Sequence, residues 1–204
     1  FMNCNFCEWR CDLTNSNGIC GRYTVENGSV VEREPFDWID FYSYTVESMP
    51  FYHVMPNEYV LQTGTVSCNA RCSYCINSHL AIEQNPKRKL MHKSAESLVS
   101  LVKQMGVQGV VFALNEVTCF MPSAIEVADL LHDNGLKCGC LTNGFLTEEA
   151  AILLADKMDF INVSLKSLSD DFYKKDLGLS GVQPVLRNIK IFNETLTYIE
   201  NSKA

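Results

Sequence analysis

The chain has 204 residues, 47% hydrophobic and 20% charged, which suits one soluble globular domain with at most a small appendage. A net charge of −7 argues against a broad nucleic-acid footprint and against anionic membrane surfaces, and no apolar run approaches the ~20 residues needed to span a bilayer. Ten cysteines is a high count. The start is polar and cysteine-rich and reads as no signal peptide, so the tight spacings favour metal in a reducing cytoplasm over a disulfide framework.

In chain order, Cys4, Cys7, Cys11 and Cys20 come first. Between the last two, Asn15-Ser16-Asn17-Gly18 is turn chemistry that lets the chain fold back and bring Cys20 to the others. Four thiolates make a complete set for a structural zinc or for one iron–sulfur cluster, and the spacing leaves both open. Residues 21–57 read as a connector with little helical period. A short hairpin is expected around Asn27-Gly28. The aromatic residues Phe36, Trp38, Phe41, Tyr42, Tyr44, Phe51 and Tyr52 are expected to pack the connector onto the main domain. His53, alone beside aromatics, is expected to be structural. The division is therefore a cysteine-rich segment with its connector, 1–57, and a main domain, 58–204.

The main domain alternates. A strand is expected at 59–66, followed by a loop with three more cysteines. Residues 85–89 read as a solvated basic turn. Ser94 caps a helix with Leu98, Leu101, Val102 and Met105 on one face, and Gly106 ends it. A buried strand follows at 107–114, then a helix from Ser123 to Gly135, and a strand at 137–142. Thr147 with Glu148 and Glu149 opens the next helix. A strand is expected at 159–166, a helix with Pro184 near its start, and a fifth strand beginning at 195–200. This is an α/β pattern of parallel βαβ units too few to close an eight-fold barrel. It predicts a partial, open parallel (β/α) barrel with its chemistry at the carboxyl ends of the strands.

The most specific stretch is Cys68-Asn69-Ala70-Arg71-Cys72-Ser73-Tyr74-Cys75, with cysteines at C-x3-C-x2-C. Three close cysteines leave one over in any disulfide set, and zinc sites usually draw two cysteines from each of two loops. Three thiolates on a four-iron cluster leave one iron open to a small molecule. This spacing, with an aromatic residue before the last cysteine, resembles the radical S-adenosylmethionine (SAM) superfamily. Three later segments carry the resemblance further. Asn115-Glu116 stands where the superfamily places a Gly-Gly-Glu-Pro segment that contacts the SAM amino group. Thr142-Asn143-Gly144 is similar to a Thr-Asn-Gly element, and Ser164-Leu165-Lys166 to an Asp-x-Lys element whose lysine lies near the SAM carboxylate. Ile76, Val117, Ser164 and Leu141 depart from the family's usual glutamine, proline and two aspartates. Together with the N-terminal cysteines, the whole resembles the AmmeMemoRadiSam-system proteins, often described as similar to pyruvate formate-lyase-activating enzymes.

The resemblance implies a [4Fe–4S] cluster on Cys68, Cys72 and Cys75, SAM bound at its open iron, and Tyr74 near the adenine. Asn115, Glu116, Thr142, Asn143, Ser164 and Lys166 are the other implied cofactor contacts. It implies an oxidoreductase in which SAM is cleaved reductively to a 5′-deoxyadenosyl radical that abstracts a hydrogen atom, with a glycyl residue of a protein as the implied substrate. Flavodoxin or ferredoxin is the implied electron donor, and an anaerobic host is expected. The competing reading is an iron–sulfur electron-transfer or metal-binding protein without SAM turnover. Cys138 and Cys140 share one face of a strand and are expected to be buried, and Cys119 follows the Asn115-Glu116 loop closely enough to approach the site.

Overall fold

A computed structural model describes residues 2–82 and 90–202 of the chain. The basic turn expected at 85–89 lies outside the described residues. The N-terminal segment leads into a hairpin of β1 (Tyr23–Glu26) and β2 (Ser29–Glu32). Asn27 and Gly28 at its turn both have positive φ, +50° and +78°, the conformation that an Asn-Gly hairpin turn selects.

The main sheet has six strands in the order β5 (Met91–His92), β3 (Asp37–Thr45), β4 (Tyr59–Gly64), β6 (Gly109–Phe112), β7 (Lys137–Thr142) and β8 (Phe160–Val163). From β4 to β8 it is parallel. The short helix α1 (Ser78–Ala81) follows the cysteine loop, and α2 (Ala95–Met105), α3 (Met121–Asp133) and α4 (Glu148–Lys157) carry the crossovers. After β8 come α5 (Asp170–Asp176) and α6 (Gln183–Ser202).

Both faces of the parallel strands are covered. Val110 and Phe112 face a core built with Leu98, Val102, Leu131 and Leu154 from the crossover helices. Val111 and Ala113 face the opposite way, against Val46, Met49 and Phe51. The two sets alternate along β6, as the two-residue period of a strand requires. Phe51 caps this second face edge-to-face on Phe160, with ring centroids 4.8 Å apart.

Three sequence expectations change. Residues 37–45, read as connector, form β3, which pairs antiparallel with β4. A bulge between Ile39 and Tyr42, with Asp40 at φ +53°, breaks the two-residue alternation that marks a strand. Trp38 is buried in the helix-side core, whereas Tyr42, Tyr44 and Tyr52 stay exposed. α3 starts at Met121 rather than Ser123, with Pro122 in its first turn. The hydroxyl of Ser123 instead donates to Glu32 and accepts the N–H of Phe36 at 3.1 Å. The strand expected at 195–200 is the end of α6, whose Phe192 reaches the helix-side core and carries Leu196 against it.

Candidate active site

The parallel strands end on one side, where their loops line a cavity of about 380 Å³. Cys68, Cys72 and Cys75 line it, with Tyr74 from the same loop. Asn115 and Glu116 follow β6, Thr142 and Asn143 close β7, and Ser164 and Lys166 follow β8. The fold thus brings together ten residues spread over almost a hundred positions, all singled out from the sequence.

Their bonding separates them into groups. Glu116 is buried and tied to the end of β7. Its carboxylate accepts the Thr142 hydroxyl at 2.7 Å and the Asn143 N–H at 2.7 Å. Burial raises its pKa despite these donors and a third from the Thr118 N–H. Asn143 donates from its amide to the Asn69 side chain at 2.7 Å, while its carbonyl oxygen accepts the Phe145 N–H at 2.9 Å. Asn115 accepts the Thr65 N–H at 2.9 Å and donates to the carbonyls of Val66 and Ser67 at 3.3 and 2.9 Å. It fastens the start of the cysteine loop to the end of β6. Gly64 permits that approach, since a Cβ there would stand 2.1 Å from the Ala113 carbonyl oxygen. Tyr74 is half exposed, its ring 6.2 Å from that of Phe172.

Two non-glycine residues adopt the left-handed conformation where the chain leaves its strands, Ser67 at φ +77° and Leu114 at +76°. Such positions cost of order 1–3 kcal/mol and gather at functional sites. Each immediately precedes a cavity-lining residue, Cys68 or Asn115.

The thiols fit a cationic occupant. Burial, then the nearby Glu116 carboxylate, pushes the Cys68 thiol up to about 12, and burial also raises Cys72. Without a cation they stay protonated, so a metal cluster releases protons when it binds. The Ala70 N–H reaches the Cys68 sulfur at 3.4 Å, a donor suited to a thiolate. Among the described residues no group of three or more His, Cys, Asp or Glu side chains is set to hold a single metal ion. A cluster differs in taking one thiolate per iron.

The family model of the radical SAM superfamily matches residues 63–198, more than half of the chain. The chain belongs to the radical SAM superfamily. Its members carry a [4Fe–4S] cluster and use SAM. An uncharacterized protein of Methanocaldococcus jannaschii is 26% identical over 157 residues, 76% of this chain and 45% of that protein. A probable GTP 3′,8-cyclase of Thermococcus kodakarensis is 29% identical over 140 residues, 68% of this chain and 44% of that protein. The chain thus spans less than half the length of these curated relatives. Among solved structures it is similar to QueE from Escherichia coli, with a TM-score of 0.39 and 14% identity over 54% of each chain. It is also similar to Streptococcus suis SuiB bound to the precursor peptide SuiA, with a TM-score of 0.47 and 18% identity over 64% of this chain and 29% of that one. No described helix is long and apolar enough to cross a membrane.

Two residues with a structural part in the site were not singled out from the sequence. Asn69, 1% exposed, sits between Asn143 and the Cys68 loop. Arg71 donates to the carbonyls of Cys68 at 2.7 Å and Ala70 at 2.9 Å. Both lie inside the cysteine motif, but their partners are backbone groups and distant side chains that spacing does not reveal. Cys119 is buried and does not line the cavity. His53 lines a different cavity, beside Lys137 and Phe160 at the opposite ends of β7 and β8.

Four of the other cysteines form a second group. Cys4, Cys7, Cys11 and Cys20 line one small hollow together with Asn69 and Thr118. Cys138 and Cys140 are fully buried in the helix-side core.

Proposed function

We propose that the chain is a radical SAM enzyme in which Cys68, Cys72 and Cys75 hold the [4Fe–4S] cluster. The observation that carries this reading is the convergence of the three thiols with Glu116, Asn143 and Lys166 in one cavity at the carboxyl ends of four parallel strands. When bound, the cluster and SAM supply a 5′-deoxyadenosyl radical for hydrogen abstraction. The chain's own part is to bind, orient and shield. Glu116 and Lys166 offer opposite charges to a zwitterionic amino-acid moiety. Tyr74, half exposed at the rim, offers a ring face to a base. Asn115, Asn69 and Arg71 hold the loop in place.

The finer reading is an activating enzyme acting on a glycyl residue of a protein, with flavodoxin or ferredoxin as donor. It is supported by the order of the N-terminal cysteines, the connector and the three-cysteine loop. The test is anaerobic. The protein is reconstituted with iron and sulfide, reduced and given SAM. 5′-Deoxyadenosine is expected from the wild type and not from Cys72→Ala. A wild type with an intact [4Fe–4S] signal and no such product would overturn the reading and favour an electron carrier.

A further inference from the structure

We infer that Cys4, Cys7, Cys11 and Cys20 hold a second metal centre, a four-thiolate site closed to substrate, built against the underside of the Cys68 loop. The Cys11 sulfur accepts the Ile19 N–H at 3.4 Å, as the Cys68 sulfur accepts the Ala70 N–H at 3.4 Å. A neutral thiol is a weak acceptor and has little use for such a partner, whereas a thiolate is stabilised by it.

No cationic side chain lines the hollow, whose wall adds Phe6, Leu13 and Tyr23 to the neutral polar Asn17, Asn69 and Thr118. Four anionic sulfurs gathered there are unfavourable unless a cation neutralises them. Ordinary buried cysteines do not account for the set, because Cys11 and Cys20 are partly exposed and all four face one point of the fold. Nor are any of them joined as disulfides. Each thiol that ligates gives up its proton on binding. Four thiolates saturate the irons of a [4Fe–4S] cluster, one on each, and a cluster suits the set better than zinc, because among the described residues no group of three or more His, Cys, Asp or Glu is set to hold a single metal ion. With every ligand position filled by protein, the centre has no open iron of the kind three thiolates leave at the Cys68 loop.

The site is also joined to that loop. Trp9 donates from its indole to the Asn69 carbonyl at 2.8 Å. Arg71 donates to the Ile19 carbonyl at 2.8 Å, and Ser67 to the Cys20 carbonyl at 2.6 Å. The residues that follow or carry the ligands therefore hold the loop of the first site.

The test uses the full chain with Cys68, Cys72 and Cys75 all replaced by alanine, so that metal at the first site cannot contribute and a failure of SAM chemistry does not bear on the result. After anaerobic purification, zinc, iron and sulfide are measured per chain. Retention of about four iron with four sulfide is expected, and its loss when Cys4→Ser and Cys20→Ser are added. About one zinc per chain without sulfide would overturn the cluster assignment. A second measurement on the wild type covers a variant that fails to fold. Alkylation read by mass spectrometry should leave Cys11 and Cys20 unlabelled until a chelator is added. Absence of metal from the folded variant, or labelling of Cys11 and Cys20 at full rate without chelator, overturns the proposal.

Discussion

At the scale of single residues, the site shows which signals survive in a bare sequence. The cysteine spacing is legible because a cluster needs thiolates at short, fixed separations. Glu116 and Asn143 are legible only by resemblance, and the structure gives them a bonding role that resemblance does not convey. Glu116 anchors the turn after β7 through Thr142 and Asn143. Glu116→Ala leaves those buried donors without an acceptor, a loss of about 1–3 kcal/mol. A lower urea midpoint is expected together with weaker SAM binding. Weaker SAM binding with an unchanged midpoint would show that the anchor contributes nothing to the fold. Asn69 and Arg71 were invisible because their work is done on carbonyls and amides that only the folded chain brings near.

At the scale of elements, local chemistry was readable and long-range pairing was not. The Ser94 hydroxyl accepts the Ser97 N–H at 3.3 Å, and Thr147 caps α4 in the same way. Caps are legible because donor and acceptor lie within one turn. Ser94→Ala is expected to cost about 1 kcal/mol in chemical denaturation, with the site unaffected. The strand expected at 195–200 failed for the complementary reason. Thr195 and its β-branched and aromatic neighbours favour a strand locally, but Phe192 and Leu196, four residues apart on one helical face, pack onto the helix-side core.

The joint between β7 and β8 carries a pH signature. Burial disfavours charge on Asp159, but Lys137 at 2.7 Å, the Cys138 N–H at 2.9 Å and His132 at 2.8 Å together hold its carboxyl below the usual range. A depressed carboxyl stabilises the fold above its unfolded value, about pH 4, and loses that contribution as pH falls through the lower folded value. Asp159→Asn should therefore be less stable than the wild type at neutral pH, with the gap closing below about pH 4. A gap of equal size at pH 7 and pH 3 would refute the assignment.

At the scale of the molecule, strand–helix alternation revealed the parallel half of the sheet, because each crossover helix buries a face whose period is written in the sequence. The antiparallel edge of β3 and β5 escaped, since a bulged strand and a two-residue strand carry almost no period. The helix-side core is the main stabiliser. Leu131 on α3 is fully buried within it, and Leu131→Ala should cost about 2–5 kcal/mol while leaving the opposite, cysteine-bearing rim of the sheet able to take up iron. The central claim concerns that rim: a three-thiolate cluster whose fourth iron is open to SAM. Its most direct measurement is the electron paramagnetic resonance spectrum of the anaerobically reconstituted, reduced protein with and without SAM. A signal from a [4Fe–4S] cluster that changes on adding SAM, and is lost in Cys72→Ala, is the predicted result. A fully loaded cluster whose spectrum is the same with and without SAM would contradict the account.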